Sequence, residues 1–188
     1  MAKIAIDVAL LPPEEVMDTA IEFNQKSDPK FELSKTDRRP HITLSQAVID
    51  EADFDEVRSS LEEIASKFQP LNLEAEITND PATFLRIALT KPLADLHQAI
   101  MKGIDKLVSY DAQAEHFLDS EVRESSLEYV RNFRTNAAFK NFDPHISIGV
   151  NEKVEEKHPL SFTVDRLTVC HLGNYNTCRK ILWEAHLK

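Results

Sequence analysis

One five-residue pattern occurs twice in this chain of 188 residues, once in each half. The first copy is Pro40-His41-Ile42-Thr43-Leu44, and the second is Pro144-His145-Ile146-Ser147-Ile148. Apolar residues at alternate positions after the histidine predict a half-buried strand in both copies. Because successive side chains of a strand point to opposite faces, the histidine and the hydroxyl residue share one face. The chain must therefore fold so that two strands, each with an imidazole beside a hydroxyl, are backed by an apolar core.

These side chains are suited to acid–base chemistry on a phosphodiester. An imidazole, with an ordinary pKa of about 6.5, exchanges a proton near neutral pH, and two imidazoles facing one bond can act as base and acid. The hydroxyls of Thr43 and Ser147 can donate hydrogen bonds to phosphoryl oxygens. We therefore interpret His41, Thr43, His145 and Ser147 as catalytic candidates. The sequence does not say which histidine is the base and which is the acid.

The paired motifs resemble the signature of the two-histidine phosphoesterase superfamily, which includes 2′-5′ RNA ligase-like proteins and RNA 2′,3′-cyclic phosphodiesterases. A single copy of such a motif is common in structural strands, so the resemblance depends on the two copies and their matching context. Ser147 replaces a threonine but keeps the hydroxyl. The resemblance implies an α+β fold that is bilobal, with two antiparallel-rich sheets and outer helices forming a central cleft. We expect residues 1–188 to form this single bilobal domain, with one motif from each lobe.

The charge balance limits the substrate. With 22 basic and 32 acidic residues the formal net charge is −10, the opposite of the basic surface expected for binding long nucleic acid. We expect a small nucleotide or short RNA substrate, no long nucleic acid, and a monomeric protein. No segment is long enough to span a bilayer, and Asp7 interrupts the N-terminal apolar run too early for a signal peptide. A cytoplasmic protein that does not bind membranes is therefore expected.

The cysteines and glycines bear on cofactors. Cys170 and Cys178 are the only cysteines and are predicted to be free thiols in a reducing cytosol, with a disulfide across their hairpin as the open alternative. No His-x-x-x-His motif or Cys/His cluster occurs, and the chain has only three glycines. The sequence therefore predicts no metal site, no cofactor and no glycine-rich phosphate loop.

Two further residues are candidates for substrate binding. Arg86 lies on the less apolar face of its predicted strand, where it can contact a phosphate or form a surface salt bridge. Tyr175 lies in a predicted loop, where an aromatic face can stack on a nucleobase. Trp183 alternates with apolar residues and is interpreted as a core residue. The arginine pairs before each motif, Arg38-Arg39 and Arg131 with Arg134, are interpreted mainly as solvated surface.

Hydrophobic periodicity predicts an alternation of strands and helices along the whole chain. The predicted strands are Lys3–Ala9, a short Phe31–Leu33, the two motif strands, the hairpin Leu71–Ile77 with Thr83–Leu89, Leu160–Cys170 and Arg179–His186. The predicted helices are one after Pro12-Pro13, Asp53–Lys67 and Leu93–Tyr110, followed by a diffuse helical segment Asp111–Arg134. Residues 151–158 are predicted to be a charged connection.

The motifs and the resemblance together predict a metal-independent phosphodiesterase. Its substrate would be a 2′,3′-cyclic phosphate or a 2′-5′-linked short oligonucleotide. The alternative is a binding module for nucleotides or RNA ends that has this fold but does not turn over its ligand. A purely structural α+β protein is the third interpretation.

Overall fold

Two antiparallel sheets form the framework of the protein. The computed structural model describes residues 2–25, 29–79, 82–149 and 159–188, and within these ranges it contains eight strands. They are β1 Lys3–Leu11, β2 Ile42–Asp50, β3 Leu71–Thr78, β4 Thr83–Ile87, β5 His145–Gly149, β6 Leu160–Val164, β7 Arg166–Gly173 and β8 Thr177–His186. The first sheet has the order β2-β1-β7-β8 and the second β5-β4-β3-β6. This confirms the predicted bilobal α+β class with two antiparallel sheets.

Four α-helices accompany the sheets in the described part of the chain. They are α1 Glu14–Asn24, α2 Phe54–Ala65, α3 Lys91–Gly103 and α4 Glu124–Asn136. Helix α1 begins directly after Pro12-Pro13 and carries Glu14 and Glu15 in its first turn, where carboxylates suit the helix dipole. The buried stripe of α2 consists of Val57, Leu61 and Ala65. Among the described residues, no helix is both long and apolar enough to cross a membrane.

The two motif strands lie at the edges of their sheets. β2 has β1 as its neighbour, β5 has β4, and the two edge strands approach each other. Ile42 and Ile146 are fully buried, while His41 and His145 are partly exposed on the opposite face. Prolines are tolerated where an edge strand begins, which explains why each motif opens with one. The predicted alternation of both motifs is therefore confirmed.

Two predicted elements end earlier than expected, because tertiary contacts interrupt them. The segment Leu160–Cys170 forms two strands rather than one: β6 belongs to the second sheet and β7 to the first, with Asp165 between them. Helix α3 ends at Gly103 and not at Tyr110, since Ser109 exchanges backbone hydrogen bonds of 2.8 and 2.7 Å with Val48 of β2. A side chain at Gly103 would meet Ile64 of α2 at 2.7 Å, so a close helix contact explains the glycine.

Three other segments can be compared with their predictions. The predicted short strand Phe31–Leu33 is wrong, because a 3-10 turn forms over Pro29–Phe31 and the backbone N–H of Leu33 donates to the Asn24 side chain. The diffuse segment Asp111–Arg134 contains a 3-10 turn, Ala114–His116, and the first part of α4. The predicted connection over residues 151–158 lies outside the described residues.

The prediction of two free thiols is wrong. Cys170 and Cys178 form a disulfide between β7 and β8, with their Cα atoms 5.4 Å apart and both residues fully buried. The register of this strand pair shifts on both sides of His171, which brings the two cysteines together. Sequence spacing could not reveal this contact, because it depends on the bulged pairing of the hairpin.

Candidate active site

The two motifs meet at one cavity of about 350 Å³, which we call the central cavity. All four catalytic candidates line it: His41 lies directly before β2, Thr43 lies within β2, and His145 and Ser147 lie on β5. Its other lining residues are Leu33, Arg39, Gln46, Phe84, Tyr129, Tyr175, Asn176 and Thr177. The structure thus brings together the four catalytic candidates and the candidate base-stacking residue.

His41 has an acceptor at each ring nitrogen. The backbone carbonyl of Arg39 lies 2.7 Å from Nδ1, and Oδ2 of Asp7 lies 3.3 Å from Nε2. Burial alone would lower the pKa of His41, but the hydrogen bond and charge of the fully buried Asp7 outweigh it and raise the pKa. Because both nitrogens face acceptors, this environment favours the imidazolium form.

Asp7 organises the floor of the first motif. Its Oδ2 also accepts hydrogen bonds from the Thr43 hydroxyl at 2.8 Å and from the Gln46 side-chain amide at 2.7 Å. Asp7 lies on β1, directly opposite Gln46 of β2. The Thr43 hydroxyl therefore donates to Asp7 in this structure, whereas Ser147 lies exposed on the other wall.

His145 has a different environment. Its Nδ1 donates to the backbone carbonyl of Asp143 at 2.8 Å, and its ring contacts Phe84 edge to face at 4.7 Å. Burial lowers the pKa of His145, and the positive charges of Arg86 and His41 lower it further, against the hydrogen bond to Asp143. A neutral imidazole bonded through Nδ1–H carries its lone pair on Nε2, which can then accept a proton.

Arg86 and Tyr175 occupy different places around the cavity. Arg86 lies opposite His145 in the strand pairing and forms an ion pair with Asp143, so it adjoins the catalytic candidates without lining the central cavity. Tyr175 lies at the tip between β7 and β8 with a φ of 61°. Its ring contacts Phe31 at 4.6 Å, and the Arg123 guanidinium lies 5.1 Å from its centroid. Their role in substrate binding stays a prediction.

Sequence reasoning missed Asp7 and Tyr129. A carboxylate inside the apolar strand Lys3–Leu11 was a usable signal, because a buried carboxylate requires a partner. Tyr129 on α4 lines the central cavity, where partial burial, together with the negative charges of Asp7 and Asp143, raises its pKa to about 12. Its hydroxyl is therefore a neutral donor at physiological pH. Residue periodicity did not reveal it, since the position of α4 over the cavity depends on tertiary packing.

The histidines outside the motifs that lie in the described ranges have structural partners. His97 is buried between two backbone groups, His171 donates to the carbonyl of His116 at 2.9 Å, and His186 pairs with Asp165. In the ranges that the structure describes, no group of three or more His, Cys, Asp or Glu side chains is placed to hold a metal ion.

Known proteins share this fold. Residues 12–176 match the family model described as the 2′-5′ RNA ligase superfamily. The chain is similar to TT0787 of Thermus thermophilus, with 15% identity, a TM-score of 0.64 and 98% of both chains covered. It is also similar to a protein solved as a phosphoesterase (13% identity, TM-score 0.55, 98% of both chains). LigT of Escherichia coli, solved in complex with NADP+, has 14% identity and a TM-score of 0.54 over 100% of this chain and 99% of its own. No curated protein matches the sequence.

Proposed function

Because this chain belongs to the 2′-5′ RNA ligase superfamily, we propose that it is a metal-independent phosphodiesterase acting on 2′,3′-cyclic phosphates or 2′-5′-linked short oligonucleotides. One observation carries the proposal. Two histidines line one cavity in opposite environments, His41 with a raised pKa and His145 with a lowered one. A neutral and a protonated imidazole are the pair that general base and general acid catalysis requires.

These environments give each histidine a role. Nε2 of His145 takes a proton from water or from a ribose hydroxyl, whose oxygen then forms a bond to phosphorus. As the bond from phosphorus to the leaving oxygen breaks, His41 gives its Nε2 proton to that oxygen. The reverse direction exchanges the two roles, so cleavage and ligation use the same groups.

The remaining residues stabilise charge and hold the substrate. Ser147 donates to a non-bridging oxygen, where donors are most effective as negative charge develops in the transition state. Thr43 acts together with Gln46 to fix Asp7 below His41. Arg86 is a cation for the phosphate region, and Tyr175 stacks on a base. LigT has been solved with phosphate and with 3′-AMP, ligands that carry the chemical groups assigned here.

The partners and location follow the sequence-based expectations. The net charge of −10 supports a small nucleotide or short RNA substrate handled by a monomer, rather than long nucleic acid. A cytoplasmic location stays a prediction, and the buried disulfide is the observation that bears against it, because disulfides are rare in reducing compartments.

Turnover in the presence of a chelator tests the proposal. The protein is incubated with nucleoside 2′,3′-cyclic phosphates and with 2′-5′ and 3′-5′ dinucleotides, and the products are identified by phosphorus NMR. We expect His41→Ala and His145→Ala each to lower turnover by about 10²–10⁴-fold, the usual contribution of one acid or base. His186→Ala, which removes an exposed histidine on β8, is the matched control.

Two outcomes count against the proposal. Turnover that persists in both motif variants would exclude the two-histidine mechanism. Binding of nucleotides by the folded wild-type protein, without cleavage of any member of the panel, would identify it as the non-catalytic binding module instead.

A further inference from the structure

Two more cavities adjoin the central cavity, each of about 280 Å³. The first, which we call the tyrosine chamber, is lined by Phe31, Phe84, Arg123, Ser126, Tyr175 and Asn176. The second, the asparagine chamber, is lined by Phe133, Asn136, Ala137, Asn141, Phe142 and Asp143. The tyrosine chamber also contains Ser147, the asparagine chamber contains Thr43 and His145, and Tyr129 lines both. Each chamber is therefore lined by different members of the four catalytic candidates.

The chambers lie at the two ends of α4. Ser126 of the tyrosine chamber is in the first turn of this helix and Asn136 of the asparagine chamber is its last residue. Ten residues of α-helix span about 15 Å. Tyr129 lies between them and faces the central cavity. A ligand that fills both chambers therefore passes Tyr129 and has one ring near each end of this helix.

The tyrosine chamber has features of a site for a flat ring. Tyr175 and Asn176 have positive φ angles of 61° and 55°, a strained conformation for residues other than glycine that clusters at ligand sites. The tip is held in place because the Tyr175 N–H donates to Ser126 Oγ at 3.0 Å and to Asn174 Oδ1 at 2.9 Å. Aromatic faces of this kind hold nucleobases by stacking. Asn176 adds a buried amide oxygen with no donor among the described residues.

The asparagine chamber combines an apolar wall with amides. Phe133 and Phe142 supply the wall, and Asn136 and Asn141 supply the amides. An amide side chain offers both a donor and an acceptor, the combination that recognises the edges of bases. Asn141 is held in place because its Nδ2 donates a hydrogen bond to the Thr135 carbonyl at 2.8 Å.

We propose that the cleft binds a phosphodiester with a nucleoside on each side of the scissile phosphate, with one base in the tyrosine chamber and the other in the asparagine chamber. This inference rests on the proposed function and selects between its two substrate classes. A nucleoside 2′,3′-cyclic phosphate has one base and fills one chamber. A linear oligonucleotide has a base on both sides and fills both.

The ratio of kcat/KM for a dinucleotide to kcat/KM for the cyclic phosphate of the same base tests the inference. We expect the dinucleotide to be preferred by about tenfold or more, because stacking one additional base is worth about 1–3 kcal/mol. Ala137→Leu adds volume to the asparagine chamber, and we expect it to bring this ratio close to one. Ala94→Leu is the matched control, because it makes the same change on α3, outside both chambers.

Three further variants keep the test independent of folding defects. Asn136→Ala removes an amide without adding volume, and we expect it, like Ala137→Leu, to lower the ratio of kcat/KM for the dinucleotide to kcat/KM for the cyclic phosphate. Glycine tolerates the positive φ of position 175, so Tyr175→Gly removes the ring without straining the backbone. We expect it to lower kcat/KM for the dinucleotide about tenfold or more, whereas Tyr175→Phe should retain most of the wild-type kcat/KM. Urea unfolding checks that each variant is folded.

The failure of this inference differs from the failure of the proposed function. Equal kcat/KM for the dinucleotide and the cyclic phosphate in the wild type, or an unchanged ratio in Ala137→Leu and Asn136→Ala, would overturn the inference. Absence of turnover of every substrate, or turnover that survives in His145→Ala, would overturn the proposed function instead.

Discussion

At the scale of single residues, Asp7 makes the two motifs unequal. Both histidines donate through Nδ1 to a backbone carbonyl two residues earlier, Arg39 in one motif and Asp143 in the other. Only His41 has a carboxylate at its second nitrogen. The same hydrogen-bond pattern is therefore accompanied by a raised pKa at His41 and a lowered pKa at His145.

The pH dependence of kcat/KM should show this asymmetry. The acidic limb reports protonation of His145, whose pKa is lowered, and the alkaline limb reports deprotonation of His41, whose pKa is raised. The optimum should therefore extend on both sides of the ordinary histidine pKa of about 6.5. In Asp7→Asn we expect the pKa of His41 to fall, so that the alkaline limb moves to lower pH. At a fixed pH above this limb, activity should fall about tenfold for each unit by which that pKa is lowered.

Asp143→Asn is the control for this measurement. The Asp143 carboxylate acts on His145 and its charge raises the pKa of that histidine, so its removal should move the acidic limb to lower pH and leave the alkaline limb in place. If Asp7→Asn leaves the alkaline limb where it is in the wild type, the assignment of His41 as the acid is wrong.

The sequence predicts where a side chain points when this depends only on the strand that contains it. That His41 shares a face with Thr43, and His145 with Ser147, could be predicted because side chains alternate along a strand. Asp7 could not be assigned, because its partners on β2 become visible only when β1 pairs with that strand. Tyr129 was missed for a similar reason, since the position of α4 over the cavity depends on tertiary packing.

At the scale of elements, the hairpin of β7 and β8 supports the first motif. Its tip carries Tyr175 and Asn176 into the central cavity. The Cys178 carbonyl accepts from the Arg39 N–H at 3.0 Å, and the Arg39 carbonyl in turn accepts from Nδ1 of His41. Two successive hydrogen bonds thus connect the backbone of Cys178, one of the disulfide cysteines, to the catalytic candidate His41.

Reduction of the disulfide should destabilise the protein. For a separation of 8 residues, the loss of the cross-link is expected to lower the free energy of unfolding by about 2.5 kcal/mol. Urea unfolding with and without a reductant measures this difference. A Cys170→Ala/Cys178→Ala variant is the control, because its unfolding should not respond to the reductant. Titration of two thiols in denatured, unreduced protein would contradict the disulfide.

Element boundaries depend on the same tertiary contacts. The stripe of α2 and the hairpin of β3 and β4 were predicted because their periodicity is regular and local. The end of α3 at Gly103 and the break at Asp165 were not predicted. In both places the chain leaves a regular pattern to pair with a distant strand or to change sheets.

At the scale of the whole molecule, His97 joins the two halves of the site. It lies on α3 and is only 1% exposed. Its Nδ1 lies 2.8 Å from the carbonyl of Leu44 in the first motif, and its Nε2 accepts from the N–H of Phe139, before the second motif, at 2.8 Å. Its ring stacks on Phe142 at 3.9 Å. One imidazole therefore sets the position of one motif relative to the other.

Replacing His97 should weaken both the fold and catalysis. His97→Leu leaves the Leu44 carbonyl and the Phe139 N–H without their partner, and each unpaired buried group costs about 1–3 kcal/mol. We expect the free energy of unfolding, measured in urea, to fall by about 2–6 kcal/mol, and kcat at pH 7 to be lower. His186→Leu, at an exposed histidine, should change little.

The pH dependence of stability separates this role from simple packing. Burial lowers the pKa of His97, so the unfolded state binds the proton more readily and wild-type stability falls as the pH drops below about 6.5. The contribution of His97 is fully present above that pH and is lost towards lower pH. In His97→Leu we expect a smaller decrease in the free energy of unfolding over this range, measured as a series of urea titrations. An equal decrease in variant and wild type would mean that another buried group causes the acid sensitivity.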